Sequence, residues 1–125
     1  MERFDSPVVL LVEDEPLVRM VGLDVFEEAG FHVIEAADAD QALAVLRSRS
    51  DVSVLFTDVE MPGSLDGFAL ARVTDARWPH VAVLIVSGRA RPSPGDMPSR
   101  ADFFTKPYSP DVIVQRVREH LRALE

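Results

Sequence analysis

Short apolar runs recur along the chain at Val8–Val12, Phe31–Ile34, Val52–Phe56, Val81–Val86 and Phe103–Phe104, and longer stretches with apolar residues at helical spacing lie between them. The first, third and fourth runs are apolar at almost every position. That is the pattern of strands covered on both faces of a parallel sheet, since a strand with one wet face alternates. Strands alternating with helices predict an α/β domain, an open five-stranded parallel sheet with helices on both faces.

The helices carry readable ends. Pro16 at a first helical position and Gly30 just past the end bracket the first helix, with Leu17, Met20, Val21 and Val25 on its apolar stripe. Asp38 is a candidate cap for the second, whose stripe includes Ala42, Val45 and Leu46. Asp66 is a candidate cap for the third, which must stop before Pro79. Ser109 and Pro110 open the last, with Val112, Ile113, Val117, His120, Leu121 and Leu124 marking its inner side. Between the fourth and fifth strands, residues 89–100 hold Pro92, Pro94, Pro98 and Gly95. Each proline removes a backbone donor and clashes with the preceding turn, so the fourth helix is expected to be shortened or replaced by a loop.

A length of 125 residues predicts a single domain over 1–125 with no further output domain. The net charge of -8 argues against a nucleic-acid partner, which needs clustered Lys and Arg. Carboxylates gathered in a cleft can instead attract a hard cation. The absence of cysteine excludes disulfides and thiolate chemistry and suits a reducing cytoplasm. The longest wholly apolar run, Val81–Val86, is far shorter than the ~20 residues that cross a bilayer, so no membrane association is expected.

In open parallel sheets, ligands collect beyond the carboxyl ends of the strands where the strand order reverses. Glu13, Asp14 and Glu15 follow the first run, Asp58 the third, Ser87 the fourth and Lys106 the fifth. With strand order 2-1-3-4-5, Asp14 and Asp58 face each other across the switch point. Crowded carboxylates repel, and Mg²⁺ relieves that repulsion while accepting phosphate oxygens (Mn²⁺ suits the same donors). Ser87 can donate to one phosphoryl oxygen and Lys106 can pair with another. Phosphoryl transfer asks mainly for positioning and charge neutralisation, so this set is chemically sufficient for a phospho-aspartate site.

Four motifs in this order resemble the receiver domain of two-component response regulators: Val-Glu-Asp-Glu-Pro at 12–16, Thr-Asp-Val-Glu-Met-Pro-Gly at 57–63 followed by Asp66-Gly67, Val-Ser-Gly at 86–88, and Thr-Lys-Pro-Tyr at 105–108. The resemblance spans the whole chain and implies the flavodoxin-like receiver fold. It implies that Asp58 is the phosphoacceptor, Asp14 a direct metal ligand, Glu13 an outer acid acting through water, and the Glu60 carbonyl a backbone ligand. Ser87 resembles the switch hydroxyl, Gly88 the small residue leaving room for the phosphoryl group, Lys106 the family's ammonium, and Phe103 the aromatic that turns inward on activation. It also suggests a cis bond before Pro107. The implied partners are a histidine kinase or histidine phosphotransfer protein and a downstream protein target, with a homodimer left open. The chain would then be a signalling switch that catalyses at most its own phosphorylation and dephosphorylation.

The chain departs from the family pattern in places. Its acidic pair is Glu-Asp where Asp-Asp is commoner, and Asp102 stands where many receivers carry glycine. Glu60 and Arg89 flank the pocket mouth and are expected to pair across it and slow hydrolysis. Residues 89–100 are expected to be mobile without phosphate and more ordered with it. Plainer readings stay open: an acidic helix start at Glu13–Glu15, a turn serine at Ser87, a surface lysine at Lys106 and a core aromatic at Phe103. Two other functions also stay open. One is a degenerate receiver that only docks partners. The other is a Mg²⁺-dependent aspartate-nucleophile phosphatase, although the spaced aspartate pair usual in such enzymes is missing at residues 13–15.

Overall fold

The computed structural model describes residues 6–123, so Leu124 lies outside the described residues. The elements run β1 Val8–Val12, α1 Pro16–Glu28, β2 His32–Ala36, α2 Ala39–Ser48, β3 Val52–Asp58, α3 Gly67–Arg77, β4 Ala82–Ser87, β5 Asp102–Thr105 and α4 Pro110–Ala123. All strands are parallel, in the order β2-β1-β3-β4-β5. This is the expected flavodoxin-like sheet. Successive strand residues point to opposite faces, so β1 feeds two cores at once. Val8, Leu10 and Val12 join Leu43, Leu46 and Leu70 beneath α2 and α3. Val9 and Leu11 join Phe26, Ile113 and Val117 beneath α1 and α4. Phe103 and Phe104 divide in the same way, one to each core.

The helix ends follow local chemistry. The Asp38 carboxylate accepts from the Gln41 N–H, and the Asp66 carboxylate from the Ala69 N–H. Gly30, at φ +94°, closes α1 in a left-handed conformation that favours glycine. Gly67 is required by close approach, because a Cβ there would collide with the main-chain carbonyl of Asp58.

The expected stripe of α1 is not its buried one. Leu17, Met20 and Val21 are 75%, 55% and 59% exposed, and the sheet-facing residues are Gly22 and Phe26. The cause is steric. A Cβ on Gly22 would already lie 3.2 Å from Leu11 Cδ1, so the glycine face is the one that approaches the sheet closely. In α4, Ile113 and Val117 are buried as expected, but Val112 is 53% exposed.

No helix joins β4 to β5. The proline-rich segment takes its place on the sheet through Ala90, Met97 and Ala101, which pack on the α2–α3 core. It is held from outside by arginines: Arg72 donates to the Asp96 carbonyl, and Arg100 to the Asp75 carboxylate and the Pro79 carbonyl. Asp102 also acquires a role, accepting from Arg116 Nε at 2.9 Å and lying 2.6 Å from His120 Nε2, which ties edge strand β5 to α4. Among the described residues, no helix is long and apolar enough to cross a membrane.

Candidate functional site

The carboxyl ends of β1, β3, β4 and β5 meet at one edge of the sheet. Asp58 is the last residue of β3 and Ser87 the last of β4, while Glu13 and Asp14 directly follow β1. The main chain fixes these tips: Glu13 N–H donates to the Ala36 carbonyl, Val59 N–H to Val86, and Lys106 N–H to Ser87. Lys106 precedes a cis-proline, Pro107.

Carboxylate oxygens of Glu13, Asp14 and Asp58 lie within 4.8 Å of one another. Glu13 and Asp58 are each only 5% exposed. Lys106 Nζ donates to Glu13 Oε1 at 3.0 Å and stands 2.9 Å from Asp58 Oδ1. The contact with Asp58 is a largely buried ion pair in which the ammonium faces Oδ1. The second Glu13 oxygen is taken by the Glu15 N–H at 3.0 Å.

Burial is the main force on Asp58 and pushes its carboxyl up to about 6; the Lys106 ammonium opposes the rise, and the Glu13 and Glu60 charges add to it. For Lys106, burial works against the charge, but Asp58 and Glu13 outweigh it and hold the ammonium above its ordinary value. The pocket is therefore over-supplied with negative charge for its one ammonium. Three clustered carboxylates, two of them almost wholly buried and sharing one ammonium, are a set of hard oxygen donors that suits a divalent cation of the Mg²⁺ class.

Ser87 is fully buried, and its register neighbour Val86 pairs with Asp58. Its hydroxyl donates to Glu60 Oε2 at 2.6 Å and accepts from the N–H groups of Ala90 at 2.7 Å and Arg89 at 3.1 Å. The expected partnership of Glu60 with Arg89 is thus replaced. Glu60 turns its carboxylate inward to Ser87 and the Ala90 N–H, Arg89 is exposed, and no ion pair joins the two among the described residues. The reason is energetic: a buried hydroxyl, with the Ala90 N–H shared between it and the carboxylate, holds Glu60 better than a solvated guanidinium does. Gly88 lies against Lys106, where a Cβ would sit at an ordinary 3.9 Å. Phe103 is half-buried, with its ring stacked on Phe68 at 6.2 Å between centroids.

One residue of the site escaped sequence reasoning. Arg19, one turn into α1, donates to the Glu13 carbonyl at 2.9 Å and to Glu35 Oε1 at 3.1 Å, pinning the acidic tip of β1. Its partners lie 6 and 16 residues away, so its immediate neighbours carried no signal of this role.

Comparison with known proteins gives one consistent result. A family model described as the response regulator receiver domain matches residues 9–118. The chain is 35% identical over 122 residues to the sensor kinase CckA of Brucella abortus (strain 2308), covering 93% of the chain and 13% of CckA. It is 34% identical over 121 residues to the C4-dicarboxylate transport transcriptional regulatory protein DctD of Rhizobium meliloti (strain 1021), covering 90% of the chain and 25% of DctD. The chain thus spans a quarter or less of these two relatives. Among solved structures, the receiver domain of hybrid histidine kinase CckA superposes with a TM-score of 0.76 at 30% identity, covering 91% of the chain and 98% of that domain.

Proposed function

The chain belongs to the response regulator receiver domains of two-component systems, and from that premise we propose that Asp58 accepts a phosphoryl group from a histidine kinase or histidine phosphotransfer partner. The observation that carries this reading is the buried Asp58 carboxylate paired with the Lys106 ammonium, in a pocket with more carboxylates than cations.

In the proposed step a lone pair on a carboxylate oxygen of Asp58 forms the new O–P bond as the N–P bond to the donor imidazole breaks. The imidazole departs with the bonding pair and is neutralised by a proton from solvent. Asp14, Asp58, Glu13 through water and the Glu60 carbonyl would hold Mg²⁺, which supplies charge neutralisation and orientation for the phosphoryl oxygens. Lys106 stays protonated and meets a second phosphoryl oxygen, while the Ser87 hydroxyl would turn from Glu60 to a third. Phe103, Gly88 and Arg89 would serve this group as the inward-turning aromatic, the small wall and the solvent-side residue.

The partner's approach has a surface to use. Leu17, Val18, Met20 and Val21 expose an apolar face at the start of α1, directly after the acidic residues, where a helical phosphotransfer domain can pack while presenting its histidine.

The test is labelling with acetyl phosphate. Stable, Mg²⁺-dependent incorporation of one phosphoryl group, lost in Asp58→Asn, is expected. No incorporation would leave only a docking module, and steady turnover of a small phosphate ester would indicate a phosphatase.

A further inference from the structure

We propose that Glu60 is a positioning residue that holds the proton of the Ser87 hydroxyl as a competing acceptor until a phosphoryl oxygen on Asp58 displaces it. The inference deepens the phosphoacceptor reading and rests on it.

A serine hydroxyl has one proton to give and two lone pairs to receive with. In this structure all three are used: the lone pairs take the N–H groups of Arg89 and Ala90, and the proton goes to Glu60 Oε2 at 2.6 Å. That separation is in the range of charge-assisted O–H···O⁻ bonds, and the Ser87 hydroxyl is itself fully buried. A hydroxyl so engaged cannot donate to a phosphoryl oxygen unless Glu60 lets go.

The same Glu60 oxygen also accepts from the Ala90 N–H at 3.3 Å. One carboxylate therefore links the hydroxyl at the end of β4 to the start of the proline-rich segment that stands in place of a helix. A phosphoryl group on Asp58 adds negative charge to a pocket where the Glu60 charge is already felt, and two anions then compete for a single donor. When the phosphoryl oxygen wins, Ser87 turns, Glu60 is released, and the Ala90 N–H loses or exchanges its acceptors. The event at Asp58 thereby reaches the first residues of that segment, 89–91, without any helix to move.

The experiment compares wild type, Glu60→Ala and Glu60→Gln by amide NMR. The free protein is recorded first, then titrated with beryllofluoride, a phosphoryl mimic, at saturating Mg²⁺. In Glu60→Ala the free-state Arg89 and Ala90 amides are expected to move toward their beryllofluoride-bound positions, and half-saturation to fall about tenfold. Glu60→Gln, which keeps an acceptor oxygen but no charge, is expected to keep these amides near wild type and to tighten binding less. Equal tightening by both variants with the free-state amides unmoved would mean that only charge had been removed, and would overturn the proposal; so would an Ala variant indistinguishable from wild type. Failure of wild type to take up beryllofluoride would count against Asp58 as the acceptor. The free-state amides still decide whether Glu60 holds Ser87.

Discussion

The Lys106 ammonium stands 2.9 Å from Oδ1 of Asp58, an ion pair in a site where burial otherwise penalises the carboxylate charge. A counter-charge held beside this carboxylate would lower the repulsion an incoming phosphoryl group meets. Lys106→Met is expected to slow Mg²⁺-dependent phosphorylation by about 10²-fold or more, the usual effect of losing one preorganised electrostatic partner. Because Lys106 opposes the rise in the Asp58 pKa, the variant should also titrate Asp58 above 6. Radiolabelling rates and carboxyl ¹³C shifts in metal-free buffer check the two effects separately.

The raised Asp58 value is also a statement about stability. A carboxyl whose folded pKa is about 6 binds its proton more tightly folded than unfolded. Its favourable contribution is complete below the unfolded value and is lost as pH rises through the folded one. Above that window the native state holds a buried charge that the unfolded state solvates. In chelator, Asp58→Asn should therefore be more stable than wild type by up to about 3 kcal/mol at about pH 8, with the difference vanishing near pH 4. Denaturant unfolding of both proteins across that range measures it; a constant gap would mean that Asp58 ionises without cost.

A divalent cation bound by the native acids and not by the unfolded chain must stabilise the fold. At about one hundred times its Kd, Mg²⁺ should raise the unfolding free energy by about 2.7 kcal/mol. Asp14→Asn, which removes one of the three clustered carboxylates, should lose most of that gain while keeping its fold. Thermal melts with Mg²⁺ and with chelator test both, and an undiminished shift in the variant would remove Asp14 from the ligand set.

Some of this architecture was legible along the chain and some was not, for identifiable reasons. β1 and the caps Asp38 and Asp66 are local: a buried run, or a short acid three residues before the N–H it accepts, carries its own signal. The strand-end rule likewise gathered Glu13, Asp14, Asp58 and Lys106 into one pocket. The inward face of α1 was not legible, because the helix is apolar nearly all round. The decision between faces was made by Gly22 against Leu11, a contact between elements. The inward turn of Glu60 depends on a hydroxyl 27 residues away, and nothing in its neighbourhood announces it.

Asp102 belongs to the same class of tertiary surprise. Its carboxylate meets Arg116 and His120 on α4, all three partly shielded from water. Asp102→Ala should cost about 1 kcal/mol, as partly exposed ion pairs do, and lower the Tm by about 4 °C. The loss should shrink in high salt, where the pairs are screened. Calorimetry at two ionic strengths checks this, and phosphorylation of Asp58, at the opposite end of the strands, should be unaffected.

The proline-rich segment is held unequally along its length, and that inequality makes a prediction about where the signal goes. Its first residues hang on the site: the Arg89 and Ala90 N–H groups bond to the Ser87 hydroxyl, and Ala90 also to Glu60. Its last residues hang on α3, through Arg72 at the Asp96 carbonyl and Arg100 at Asp75. In the proposed switch a phosphoryl group on Asp58 would rearrange the first set of bonds and leave the second untouched. Amide exchange should therefore change on phosphorylation at residues 89–91 and stay constant at 96–101. Arg100→Ala should extend the changing region toward β5, because the distal anchor is then released. Exchange that is identical in the two states throughout the segment would mean that the switch is not transmitted along it, and would direct attention to the Phe103–Phe68 stack as the other route from the pocket to the surface.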